Sequence, residues 1–301
     1  MSATVSTSNN DSPERRAAAA HLAGRHRRDR IFVLLCQAAT VIGVLLLAAL
    51  LYGILRDGLG RLSLDFLRNP PSRFAGRAGI MPALYGSLWV VTLTGLVSVP
   101  VGVAAAIYLE EYAPKNRLTA FIQTNIANLA GVPSIVYGLL GLAVFVRFLG
   151  LQRSITAGAL TLALLVLPTV IIATQEALRA VPRSLREASF GLGATQWQTI
   201  RFQVLRSAMG GILTGVILSL SRAIGETAPL ITIGAASYIA FAPRNLSDNF
   251  TVLPVQIFNW AARPQEEFRA TAAAAIIVLL AVLLTLNSIA LVLRNRFQRQ
   301  N

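Results

Sequence analysis

The chain has 301 residues, 54% of them hydrophobic and only 13% charged, with a formal net charge of +14. Soluble domains carry about 25% charged residues, so a mean hydropathy of +0.61 identifies an integral membrane protein. The sole lysine, Lys115, lies between Pro114 and Asn116, which excludes a Gly-Lys-Ser/Thr phosphate loop: any ATP-driven work belongs to another subunit. Cys36 is the only cysteine, and His21 and His26 sit in a basic tail without acidic or thiol neighbours at ligand spacing. Neither a disulfide framework nor a metal site is expected.

Taken in order, residues 1–29 are polar and Ala/Arg-rich and read as a disordered basic tail. The apolar run at about 31–55 is longer than the roughly 20 residues that cross a hydrocarbon core. It lacks a small-residue cleavage site and reads as an uncleaved first span. Residues 56–81, with Asn69-Pro70-Pro71, read as a loop with a short surface helix. Further spans are expected at about 84–109, 121–149, 156–174, 207–233 and 269–293, the last preceded by a polar loop at about 237–267. The fold class is therefore all-α, with six transmembrane helices over 30–294 and a tail at 295–301. Six spans put both termini on one side, and the arginine distribution favours the cytoplasmic side for them.

The polar loop at about 175–206 interrupts these apolar runs. Ser184 followed by Glu187 has the spacing of a capping box, so a helix is expected to start there. Gly191 and Gly193 then end it, since glycine tolerates the left-handed conformation past a helix. Thr195 and Gln198 repeat the capping pattern, and the second helix would place Trp197, Ile200 and Val204 on one side. As residues alone, the loop reads equally as a docking element or as an amphipathic connector on the bilayer surface.

Polar groups inside spans mark function by default. The fifth span carries Ser221, Arg222, Gly225, Glu226, Thr227 and Pro229. Arg222 and Glu226 are four apart, hence on one helical face. Chemistry alone leaves two readings open: a fork of donors for a passing oxyanion, oriented by Glu226, or an ion pair locking two helices. Other polar groups have blander expectations. Glu110 and Glu111 read as solvated headgroup-region charges. Asn125 and Asn128 read as bridges between helices, Pro133-Ser134 as a possible unwound turn, and Trp89 and Trp260 as interfacial anchors.

Several of these stretches resemble one family. Glu187-Ala188-Ser189 with Gly193 resembles the EAA-type coupling loop of ABC importer permeases, although the family's closing Leu-Pro is Leu205-Arg206 here. The run from Ser221 to Leu230, SRAIGETAPL, resembles the signature of phosphate-specific (Pst) permeases, and its Thr-Ala-Pro-Leu ending resembles the A-type (PstA-type) subunit. Gly131 to Gly138, GVPSIVYG, and Tyr108 to Tyr112, YLEEY, resemble further features of that family. The resemblance implies a type I ABC importer architecture in a bacterial inner membrane. It implies a heterodimer with a PstC-type permease, two copies of a PstB-type ATPase that hold ATP and Mg, and an extracytoplasmic PstS-type phosphate-binding protein. No cofactor is implied on this chain, and no nucleic acid. By the same resemblance the substrate-pathway residues would be Arg222, Glu226, Ser221 and Thr227. The ATPase-coupling residues would be Glu187, Ala188, Gly193, Arg186 and Trp197. Rival expectations are a permease for sulfate or molybdate, or a secondary transporter using Glu226 as proton carrier.

Overall fold

In the computed structural model, residues 13–235 and 238–299 are described. The first of two compact units ends at Ile54 and the second begins at Leu55. Helix α1, Pro13–Gly58, dominates the first. Proline suits a first helical turn, and the Ala17–Ala20 run favours helix, so the helix begins well before the apolar span. For residues 1–12 the expectation of a disordered tail lies outside the described residues.

In the second unit a short helix α2, Leu64–Arg68, is capped by Ser63 and buries Phe66. Helix α3, Met81–Ile107, continues into a wider π-helical turn at Tyr108–Tyr112. The third span is not a single rod. Helix α4, Arg117–Ala130, and helix α5, Ser134–Gly141, prolonged as a π-helix over Leu142–Phe148, meet at 102°. Pro133 at the break has no N–H to donate and disfavours helix in the residue before it. Helix α6, Ile155–Arg179, is followed by the short helices α7, Arg183–Gly191, and α8, Gln196–Thr199. A π-turn at Ile200–Val204 joins α8 to α9, Leu205–Gly225.

The fifth span is also broken: α10, Ala228–Ile233, is a separate helix. Two further departures concern the region after it. The loop expected over 237–267 contains α11, Leu253–Ala261, and Trp260 is fully buried against Phe66, ring centroids 6.1 Å apart, rather than anchored at an interface. The last helix, α12, runs Glu267–Arg299, longer at both ends than the expected span. Among the described residues, five helices are long and apolar enough to cross a membrane, and the bent pair α4–α5 makes a sixth.

Helix α6 is the most enclosed of the spans. Where α3 and α9 pass it, glycines permit close approach. A Cβ on Gly102 would meet Val170 Cγ1 at 2.7 Å, and one on Gly215 would meet Ala173 Cβ at 2.4 Å. Helix α12 runs antiparallel to α9: Asn287 meets Ser221, and seven residues further Arg294 Nη1 donates to Thr214 Oγ1 at 3.1 Å. Asn125 donates to Phe121 O of its own helix at 2.8 Å, so it does not bridge helices. At the end where α6 begins, Asp248 accepts from the backbone N–H groups of Asn245 and Arg244, bonds that hold its carboxyl below the ordinary value. That contribution is complete above the ordinary carboxylate pKa and is lost as pH falls through the depressed one.

The two broken spans pack on each other at Gly138. A Cβ there would lie 1.8 Å from Thr232 Oγ1 and 2.6 Å from Pro229 Cα. Gly138→Ala is expected to destabilise the fold by about 1–3 kcal/mol, lowering the thermal midpoint in detergent by about 3–10 °C. An unchanged midpoint in a melting curve would show that α5 and α10 separate freely.

Candidate functional site

Two places carry the polar chemistry, and α9 connects them. The first is the α7–α8 loop. Arg186 on α7 donates from Nη2 to Glu111 Oε1 at 2.7 Å and to Leu178 O at 3.0 Å, and from Nη1 to Val181 O at 2.8 Å. Its cation thereby caps carbonyls at the end of α6, Leu178 O there also accepting from the Val181 backbone N–H at 3.3 Å. Arg179 donates to Glu110 Oε2 at 2.9 Å and to Glu176 Oε1 at 3.1 Å. Gln196 Nε2 donates to the backbone oxygen of Glu111 at 2.6 Å. Glu110 and Glu111 are thus clasped by the loop rather than solvated. Hydrogen bonds to charged groups contribute about 1.5–3 kcal/mol each, and the Arg186 and Glu111 side chains are only 19% and 11% exposed.

The loop differs in detail from its sequence pattern. Helix α7 starts at Arg183 with Pro182 as its N-cap and no side-chain cap, so the Ser184/Glu187 box does not form. Proline at 182 holds φ at −56° and sets the N-cap two residues early. The Thr195/Gln198 box does form, with both reciprocal bonds present. Gly193 adopts φ +81°, as a helix–glycine turn requires. Ile200 and Val204 are buried, but Trp197 is 53% exposed, because the π-turn after α8 rotates it off their face. Glu187 and Ala188 are exposed, as are Phe190 and Leu192. Leu185, Ala188, Leu192 and Phe202 help line a cleft of about 470 Å³ between α7 and the start of the fifth span.

The second place is the break after α9. Glu226 is extended (φ −71°, ψ 127°), so it is not one helical turn beyond Arg222. Even so, Arg222 Nε lies 3.4 Å from Glu226 Oε1, with the Arg side chain 58% exposed and the Glu 15%. Among the described residues, Glu226 is the one partner of Arg222, and the terminal guanidinium nitrogens stay available. Arg222 lines a narrow cavity with Leu129 and Val132 at the α4–α5 break, Tyr137 of α5 and Thr169 of α6. Tyr137 Oη donates to Leu129 O at 2.8 Å, a carbonyl beside the break that also accepts from the Val132 N–H. Thr227 Oγ1 donates to Gly225 O at 3.4 Å. Ser221 points elsewhere: it donates to Ile217 O at 2.7 Å and pairs with Asn287 on α12. Arg222 and Glu226 are therefore together, Thr227 shapes the turn, and Ser221 serves helix packing. Asn287 was missed, though an asparagine within an apolar span is itself a signal.

Residues 98–299 match the family described as "Binding-protein-dependent transport system inner membrane component". The chain belongs to this family. The phosphate transport system permease protein PstA of Pasteurella multocida is 34% identical over 269 residues, 88% of this chain and 95% of that one. PstA 1 of Mycobacterium tuberculosis H37Rv is 38% identical over 229 residues, 74% of this chain and 71% of that one. The fold is shared with solved ABC importers. A bacterial alginate ABC transporter matches at TM-score 0.64 and 15% identity, over 88% of this chain and 93% of that one. The inward-facing MetNI methionine transporter matches at 0.60 and 16%, over 71% and 94%. The chain is a multi-pass inner-membrane ABC permease of type I importer architecture, a channel component and not a catalytic subunit.

A side chain at Gly193 would be strained at φ +81°. Gly193→Ala is expected to destabilise the permease's α7–α8 turn by about 1–2 kcal/mol, seen as tryptic cleavage at the exposed Arg183 and Arg201 roughly 5–30 times faster. Cleavage at the wild-type rate would mean that the turn is not held in this conformation.

Proposed function

We propose that this chain is the PstA-type permease subunit of an ATP-driven phosphate importer, supplying half of the translocation pathway. The observation that carries the reading is Arg222, whose guanidinium lies where two spans are interrupted, beside a carboxylate and with donors to spare. Such a fork suits an oxyanion, which accepts two parallel charge-assisted bonds. Glu226 holds the guanidinium in place when no anion is present and yields it when one arrives. The PstA relatives, 34–38% identical, favour phosphate as that anion.

The other half of the pathway would come from a PstC-type permease, and a PstS-type protein would deliver phosphate from outside. Two PstB-type ATPase subunits, carrying ATP and Mg, would dock on α7–α8 through Glu187, Ala188, Gly193 and Trp197, with Arg186 holding α7 in place. Helix α12 is antiparallel to α9, so its C-terminal end lies toward the α7–α8 loop. With the ATPase inside, this favours a cytoplasmic C-terminus.

The reading is tested by labelled phosphate uptake, at low phosphate, in cells whose other phosphate systems are deleted. Restoring this chain should restore uptake that arsenate, but not sulfate, competes away. Arg222→Gln should lower uptake at least about 10–100-fold, the loss expected for removal of charge-assisted bonds, with the complex still assembled. Normal uptake by that variant would remove Arg222 from the pathway. Glu187→Arg should weaken co-purification of the ATPase and uncouple hydrolysis; unchanged pull-down and transport would exclude Glu187 from docking.

A further inference from the structure

We infer that Glu111 is a positioning residue for coupling: its carboxylate joins the end of α3 to the α7–α8 loop, so that α3, α6 and the loop move as one body. The inference rests on the proposed ATP-driven transport and adds the route by which force leaves the loop. Arg186 spans two helices from one guanidinium. Two of its bonds go to carbonyls of Leu178 and Val181 at the end of α6, and the third goes to Glu111 at the end of α3. Gln196 closes the arrangement from the far side of the loop by bonding the Glu111 backbone oxygen. Arg179, the last residue of α6, adds a direct tie from α6 to the neighbouring Glu110.

These contacts have the character of a mechanical joint. The Arg186–Glu111 pair is shielded from water, and its partners are 75 residues apart in sequence. Beyond the joint, α3 and α6 are held together by the buried cluster of Ala106, Leu109 and Ile171 and by the approach of Gly102 to Val170. Helix α6 then carries Thr169 to the cavity lined by Arg222. A displacement of α7 is therefore delivered to α6 through the carbonyls and to α3 through Glu111. Without the carboxylate, Arg186 keeps its α6 bonds while the buried charged tie from α7 to the end of α3 is lost.

The test uses the whole complex in liposomes, with binding protein, both permeases and ATPase, measuring phosphate moved and ATP hydrolysed. Glu111→Gln should lower phosphate moved per ATP about tenfold with ATPase co-purification unchanged, and Glu111→Asp should recover at least half. A spin label on Leu192→Cys, in a Cys36→Ser background, should become more mobile in Glu111→Gln. Full coupling in Glu111→Gln, or equal loss in both variants together with loss of the ATPase, overturns the inference. If Glu111→Gln does not accumulate, the pair Glu111→Cys/Arg186→Cys can be joined by a short bifunctional thiol reagent. Transport should then rise on joining, whereas inhibition or no recovery means that the two positions separate during the cycle or are not coupled. A wild-type complex that moves no phosphate with ATP would instead reject the proposed function.

Discussion

A polypeptide in hydrocarbon must satisfy its backbone internally, and everything particular to this permease follows from two places where helices stop short of doing so. One is Gly131-Val132-Pro133, the other Glu226-Thr227. Each interrupts the helical hydrogen-bond ladder of its span. The fold answers by setting the interrupted spans against each other. Tyr137 donates to Leu129 O beside the first break, and Thr232 Oγ1 donates to Pro229 O at 2.8 Å just beyond the second. Gly138 brings α5 onto α10 with no side chain between. The same packing leaves Arg222 at the junction, so the site exists because the helices are broken there.

Polar chemistry at one end and at the junction would be unrelated without stiff elements between them. Helix α9 begins beside the α7–α8 loop and carries Arg222 in its last turn, a separation of about 25 Å at helical rise. Helix α6 runs alongside, enclosed by neighbours that approach through glycine and alanine. Dispersion between closely fitted helices holds such a bundle where lipid offers no hydrophobic driving force. Close fit also resists bending, so rigid displacement is the mode of movement the packing favours.

Much of this was legible from the chain. Apolar run length located the spans, the Thr195/Gln198 box and Gly193 turn appeared as read, and the pairing of Arg222 with Glu226 survived. What failed depended on contacts between distant residues. Glu110 and Glu111 looked like solvated headgroup-region charges, and no local spacing announces Arg179 and Arg186 as their partners. Trp260 looked like an interface anchor because burial against Phe66 is a tertiary fact. The break after Gly225 was passed over because the run at about 207–233 is long enough for one span, although Gly225 and Pro229 flank the interruption. There the i, i+4 argument gave the right pair for a reason the backbone does not bear out.

On the proposed reading, that pairing also explains why a carboxylate belongs beside a residue meant for an anion. A guanidinium alone in a low-dielectric passage would be costly when empty and would retain an oxyanion too firmly once bound. Passage requires binding strong enough to admit the ion and weak enough to release it. Glu226, reaching Nε from an extended segment rather than from the next helical turn, meets both needs. In the proposed importer it would compensate the charge between transport events and compete with the anion during them. The single long contact, with both terminal nitrogens left over among the described residues, is weaker than a two-point fork on a carboxylate. On the proposed reading that weakness lets phosphate displace Glu226 on entry and Glu226 displace phosphate on exit.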